Sequence, residues 1–169
     1  QASRWKSLRE GIERNVRAHL WDVKRQKFIP HIYPEKSPIP EGFDELAIHY
    51  HGGTAIAIEA GLLSKDEIRT VNAQMLENVR LSGMPSIGLT LYPVYPDGFF
   101  HGGMSKAYLY QNGGDWTWFG GRMIQQLVVN GMVEEAYAEI HPMIERVIQN
   151  DGFYEWYGKG GVPSGSGNF

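Results

Sequence analysis

Residues 110–116, which read Tyr-Gln-Asn-Gly-Gly-Asp-Trp, gather into one short stretch the residue types that recognise a sugar. Hydroxyl groups on a pyranose ring call for planar donors and acceptors, and the amides of Gln111 and Asn112 supply both. The C–H faces of the ring call for flat surfaces with a polar edge, which Tyr110, Trp116 and Trp118 offer. Gly113 and Gly114 carry no Cβ and let the backbone approach a ligand closely. Asp115 has two readings: an N-cap for the helix that begins here, or an acceptor for a sugar hydroxyl. About forty residues further on, Phe153-Tyr154-Glu155-Trp156-Tyr157 sets one carboxylate among aromatic rings, with Trp156 a further stacking surface, and a glycine-rich run over 158–167 follows. Within that run Gly165-Ser166-Gly167 lacks both the preceding strand and the following Lys-Ser or Lys-Thr of a phosphate loop, so phosphate binding is set aside.

Composition points the same way and excludes several other chemistries. The chain has 169 residues, enough for one domain with a core, and 42% of them are hydrophobic. It has no cysteine, which removes disulfides, thiolate metal sites and cysteine nucleophiles. The net charge is -3, and the Lys and Arg residues are dispersed rather than gathered into the stripe that a phosphate backbone requires, so nucleic acid is a poor partner. No apolar run approaches the roughly 20 residues needed to cross a bilayer, and a soluble chain is expected. The 21 Gly, 5 Trp and 9 Tyr favour loops of close backbone approach lined with large flat side chains. His49 and His51 are two apart, a spacing unsuited to paired ligands on one helical face. His101, in the loop before the candidate site, has two readings: an ordinary loop histidine, which is favoured, or a contact to a sugar hydroxyl. No carboxylate cluster has calcium-loop spacing. Neither a metal nor a cofactor is required.

The elements that must hold these residues are mostly helical. Trp5, Leu8, Ile12, Val16 and Leu20 recur at helical spacing over 3–20, and a proline-rich loop follows. Residues 43–60 are apolar on nearly all sides and predict a helix buried by its neighbours. Ser64 and Glu67 have capping-box spacing, opening an amphipathic helix that runs to Gly83. The same order returns as a mostly apolar helix over 115–130 and a more polar one over 132–150. On the latter, Glu134, Glu135, Glu139, Glu145 and Arg146 mark the wet face, and Pro142 is expected to kink or restart it. Residues 84–110 predict short strands and loops. Inner helices followed at once by outer ones describe an all-α fold, an α/α toroid of helical hairpins, with an irregular helical bundle as the alternative. A full ring takes about twelve helices and this chain supplies about five, so one incomplete half-barrel domain over 1–169 is expected.

An amide, Asn-Gly and Trp opening an inner helix, then an aromatic-Glu-aromatic element and a glycine-rich loop, resemble the six-hairpin glycosidases. That superfamily includes trehalases, processing α-glucosidases, neutral invertases and debranching enzymes. The trehalase motif reads Gln-Trp-Asp-x-Pro-Asn-Gly-Trp and matches residues 110–116 only in part, so its substrate does not carry over. The resemblance implies that the chain is the C-terminal portion of an inverting glycoside hydrolase, with Glu155 as catalytic base and no cofactor. It also implies a substrate wall of Tyr110, Gln111, Asn112, Asp115, Trp116, Trp118 and Trp156. A binding or structural glutamate is the other reading of Glu155. The general acid of such enzymes lies on an earlier hairpin, and Asp44 or Glu45 are the substitutes nearest to hand. Asp44 is also a candidate cap for the helix that follows. Two alternatives remain: a sugar epimerase on the same scaffold, with His49 and His51 its only local pair, and a non-catalytic carbohydrate-binding fragment. The partners implied are an oligosaccharide or glycoside, and another chain or segment that completes the barrel.

Overall fold

A computed structural model describes residues 1–102 and 106–167. Residues 103–105, within the expected loop over 84–110, and residues 168–169, at the end of the expected domain, lie outside the described residues. Where orphaned backbone groups meet a matching side chain, the helices begin and end as the sequence expects. Ser64 caps α3 (Lys65–Ser82): its Oγ accepts from the Glu67 N–H at 3.4 Å while Glu67 Oε2 accepts from the Ser64 N–H at 2.8 Å. Gly83 then ends the helix in the left-handed region, at φ 69°. Gly131, at φ 75°, follows α4 (Thr117–Val129) in the same way and turns the chain into α5 (Val133–Gln149). At the N-terminus, α1 (Ala2–His19) is tied to α3 by an Arg17–Glu67 ion pair of 2.6 Å.

The second helix departs from expectation. Residues 43–60 do not form one helix: a short 3-10 turn over Glu45–Ala47 leads into an extended His49–Tyr50, and α2 occupies only His51–Glu59. The reason is tertiary, because His49 and Tyr50 pair antiparallel with Leu91–Tyr92, and a short apolar run carries no periodicity strong enough to resist that pairing. Numbered along the chain, the strands are β1 (Trp21–Asp22), β2 (Lys27–Phe28), β3 (His49–Tyr50), β4 (Leu91–Tyr92), β5 (Tyr154–Tyr157) and β6 (Pro163–Gly167). They make three two-stranded antiparallel hairpins, β1-β2, β3-β4 and β5-β6.

α2 and α4 lie side by side, and α3 and α5 back them. The approach of α2 to α4 is close enough that a Cβ on Gly52 would overlap the Phe119 ring. Ile58, Ile68, Val71, Met75, Met123 and Leu127 fill the space between layers, each at most 4% exposed. Burial of such a side chain stabilises by roughly 1.5–3 kcal/mol. Two residues expected on the wet face of α5 are instead buried. Glu139 accepts a 2.6 Å hydrogen bond from Asn72 Nδ2 on α3, and Arg146 turns inward toward the loops. Pro142 does not restart the helix, which runs from Val133 to Gln149 as one element. Both outer edges stay apolar: Trp5, Leu8 and Ile12 on α1, and Tyr137, Ile140, Ile144 and Ile148 on α5, are exposed.

Burial pushes the Glu139 carboxyl up to about 7, against the pull of the Asn72 hydrogen bond and with some help from Glu135. A carboxyl whose pKa is raised on folding contributes stability that is present in full below its unfolded pKa and lost as pH rises through the folded value. The unfolding free energy is therefore expected to fall by roughly 2 kcal/mol between pH 5 and pH 8 through this group. Urea melts across that range should show a markedly smaller decline for Glu139→Gln; equal declines in both proteins would remove Glu139 as the cause.

Candidate functional site

The sequence motif at 113–116 is held as an extended rung between two other segments. The Thr90 N–H donates to Gly114 O at 2.9 Å and the Trp116 N–H to Gly88 O at 2.8 Å on one side. On the other, Asp115 and Tyr157 exchange both backbone hydrogen bonds, at 2.9 and 2.7 Å. Gly88 is required here, since a Cβ would overlap Asp115 Oδ1 and crowd the Trp116 backbone. The preceding turn closes with the Asn112 N–H donating to Leu109 O and the Tyr108 N–H to Asn112 O. Within it Tyr108 and Tyr110 have φ of 63° and 48°. A non-glycine residue in the left-handed region costs about 1–2 kcal/mol, and such strain persists where the surroundings over-determine it, commonly at functional sites.

Beneath the rung lies a buried charge network. Asp115 is fully buried, 2.9 Å from Arg146 Nη1, and its Oδ2 accepts from Ser86 Oγ at 2.7 Å. Arg146 also donates from Nη2 to Thr117 Oγ1 at 3.3 Å and packs its guanidinium 3.8 Å from the centre of the Tyr157 ring. Burial pushes the Asp115 carboxyl upward, with Arg146 and then Ser86 pulling it back. The capping role does not occur: Trp116 holds the N-cap position of α4, and no side chain caps it. Asn112 likewise faces inward. Its Oδ1 accepts from the Tyr95 N–H at 2.9 Å and its Nδ2 donates to Tyr95 O at 3.1 Å, so its amide clamps a backbone.

The open side of the rung is aromatic. Trp116 Nε1 donates to Tyr110 O at 3.1 Å, and the Tyr110 ring meets those of Trp116 and Trp156 edge-on at 4.9 and 6.4 Å. Gln111 is exposed. A cavity of about 490 Å³ is lined by Trp116, Thr117, Trp118, Phe153, Tyr154 and Glu155. It thus brings Glu155 together with two tryptophans of the earlier motif. Tyr110, Gln111, Asn112, Asp115 and Trp156 are not among the residues that line it.

Glu155 owes its setting to an irregularity in the β5-β6 hairpin. Tyr154 pairs with Gly167 and Trp156 with Ser164, so Gly165 and Ser166 together face Glu155. Bulges of this kind re-aim side chains. The Ser166 N–H donates to Glu155 Oε2 at 3.1 Å, and Gly165, at φ 73°, leaves room that a Cβ would take from the carboxylate.

The other candidates fare differently. Asp44 is exposed and makes no cap. Glu45 Oε1 accepts from the Tyr33 and Tyr95 hydroxyls at 2.8 Å each and lies 2.7 Å from His31 Nδ1. Burial raises its pKa, but His31, Tyr95 and Tyr33 outweigh that and hold the carboxyl below its usual range, which makes Glu45 a poor proton donor. His49 and His51 are both buried; burial pushes His49 well below its ordinary value and His51 down to about 3. Their ring nitrogens meet Thr54 and Asn78 rather than the aromatic cavity, which leaves no paired acid and base for epimerisation there. Among the described residues no three His, Asp or Glu side chains converge as metal ligands. Sequence reasoning missed Ser86, Tyr95 and Arg146, whose roles are set by partners far along the chain.

Inner helices backed by outer ones, with aromatic loops gathered at their ends, define part of an α/α toroid. A solved structure with this arrangement is the GH63 mannosylglycerate hydrolase from Thermus thermophilus in complex with glucose. The likeness has a TM-score of 0.63 at 16% identity and covers 92% of this chain and 33% of that one. The chain therefore spans a third of the length of that hydrolase, which belongs to the six-hairpin glycosidases, and shares its fold over that third. No protein-family model matches the chain, and no curated protein matches it by sequence.

Removing the charge of Asp115 leaves Arg146 buried without a counter-ion. Asp115→Asn is expected to lower the unfolding free energy by about 3–5 kcal/mol, measured by urea denaturation. A residue whose main role was to contact sugar would lose binding and leave stability unchanged.

Proposed function

We propose that this chain is the base-bearing, C-terminal portion of a glycosidase that hydrolyses a glycosidic bond with inversion, and that Glu155 is its general base. The observation that carries the reading is the shared cavity, in which the Glu155 carboxylate borders the indoles of Trp116 and Trp118. An aromatic floor suits the C–H faces of a pyranose, and a carboxylate at its edge suits a water molecule waiting beside the anomeric carbon. Tyr110, Gln111 and Trp156 flank the sugar, while Asn112 and Asp115 serve the wall from behind.

In the reaction, Glu155 takes a proton from water as the water oxygen bonds to the anomeric carbon. The bond to the departing oxygen breaks, and that oxygen takes a proton from a second carboxyl group. Inversion needs the two carboxyl groups about 6.5–9.5 Å apart. With Glu45 held ionised, the acid belongs to a hairpin that this chain does not supply. The glucose bound in the mannosylglycerate hydrolase supports a sugar as ligand for the shared fold.

The exposed apolar stripes support a second part of the reading. Ile140, Ile144 and Ile148 project beside a groove that Ile124, Met143 and Phe153 also line, and Trp5, Leu8 and Ile12 form a matching stripe on α1. Contiguous exposed apolar patches mark surfaces that another element covers. Further helical hairpins, from the same polypeptide or another chain, would cover them and complete the ring.

In the complete protein, Glu155→Gln should lower glycoside turnover by about 10²–10⁴-fold and leave sugar binding largely intact. Unchanged turnover would sink the assignment, and a protein that binds glycans without any hydrolysis would favour a non-catalytic module. For ring completion the measurement is sedimentation of the 169-residue chain alone. Self-association is expected, and a stable, well-folded monomer would contradict the missing-hairpin reading.

A further inference from the structure

We infer that Glu45 is a positioning residue for the sugar-binding turn and acts on it through Tyr95, an inference that rests on the sugar-site reading above. The path between them is short and continuous. Glu45 Oε1 gathers the Tyr33 and Tyr95 hydroxyls, each at 2.8 Å, and the Tyr50 hydroxyl donates to that of Tyr95 at 3.1 Å. Tyr95 is fully buried, its ring stacked on Phe99 at 4.6 Å. Its own N–H and C=O are both taken by the Asn112 side chain, and Asn112 closes the turn that carries Tyr110.

The turn needs such a support. Tyr110 is held at φ 48°, a conformation that a tyrosine leaves unless its neighbours prevent it. Asn112 prevents it only as firmly as Tyr95 is fixed. Ring packing restrains the position of Tyr95, and the hydroxyl bond to Glu45 restrains its rotation and sliding within the aromatic cluster. The charge on Glu45 strengthens that bond, since an ionised acceptor makes hydrogen bonds roughly twice as strong as a neutral one. A carboxylate in the short turn before β3 thereby sets the geometry of a wall that it does not touch.

Tyr95→Phe and Glu45→Gln separate this role from packing, because each removes or weakens the hydroxyl bond and keeps the ring. In the full-length protein, amide hydrogen exchange over residues 108–116 and glucose affinity, read from tryptophan fluorescence, are compared with wild type. Each variant should speed exchange of the turn and weaken glucose binding about fivefold, the effect of one buried hydrogen bond, and lower the melting temperature by about 2–4 °C without loss of cooperative unfolding. The double variant should be no worse than either single one, as members of one path are not additive. Wild-type exchange in Tyr95→Phe, or fully additive effects, would overturn the inference. Glu155→Gln tests the underlying reading separately: if turnover survives it, the glycosidase assignment falls, while the exchange result, which needs no ligand, still decides the role of Glu45.

Discussion

The ion pair between Asp115 and Arg146 is the point on which the other parts converge. Asp115 comes from the motif loop and Arg146 from the last turn of α5, and Ser86 and Thr117 join them from the loop after α3 and the start of α4. Three segments distant in sequence, carrying Ser86, Asp115 with Thr117, and Arg146, are thus fixed to one another at a place where water does not reach. Burying two charges carries a desolvation cost that well-packed apolar residues would avoid. What the pair supplies instead is direction: a carboxylate and a guanidinium that meet each other and Ser86 here hold the rung at 113–116 in its register against Gly88 and Tyr157. The stacking of Arg146 on Tyr157 extends that control to β5, the strand that carries Glu155.

This arrangement explains a division of labour across the motif. Polar side chains of residues 110–116 that are most suited to hydrogen bonding, Asn112 and Asp115, point into the protein, while the rings of Tyr110 and Trp116 stay partly open. An aromatic surface that is already rigid binds a ligand without spending part of the binding energy on its own ordering. Amide and carboxylate on the inner side supply the rigidity. The strain at Tyr108 and Tyr110 belongs to the same design, since only a turn clamped from behind can keep two tyrosines in a region that glycine normally occupies.

Much of this was legible in the sequence, and the limits have physical causes. Helix starts and stops written in local chemistry could be read directly: Ser64 with Glu67, Gly83 and Gly131 are each satisfied by groups within a few residues. The alternation of apolar and polar helices likewise conveyed the toroid, because layer order follows from burial. Residues 43–50 were not legible, since their extended form comes from pairing with Leu91 and Tyr92, some forty residues away. Glu139 and Arg146 read as solvent-facing for the same reason, as a charged residue on an amphipathic helix is exposed unless a distant partner claims it. Spacing marked where Asn112 and Asp115 lie, but side-chain direction depends on Tyr95 and Arg146, which no local pattern connects to them.

Glu155 shows how little local sequence is needed once a hairpin can slip by one residue. A regular β5-β6 ladder would set a single residue opposite Glu155. The extra residue puts Gly165 and Ser166 opposite instead, so that space and a backbone donor arrive together. A carboxylate given one donor at Oε2 keeps acceptor capacity free on the side that borders Trp116 and Trp118. A general base needs that combination, because it must be fixed in direction and still have a lone pair available for the proton of water. Glu45 differs in that its Oε1 already takes the Tyr33 and Tyr95 hydroxyls and lies beside His31, away from the aromatic cavity. The two carboxylates therefore differ in setting: Glu155 borders an open cavity, while Glu45 holds two tyrosine hydroxyls and a histidine on one oxygen.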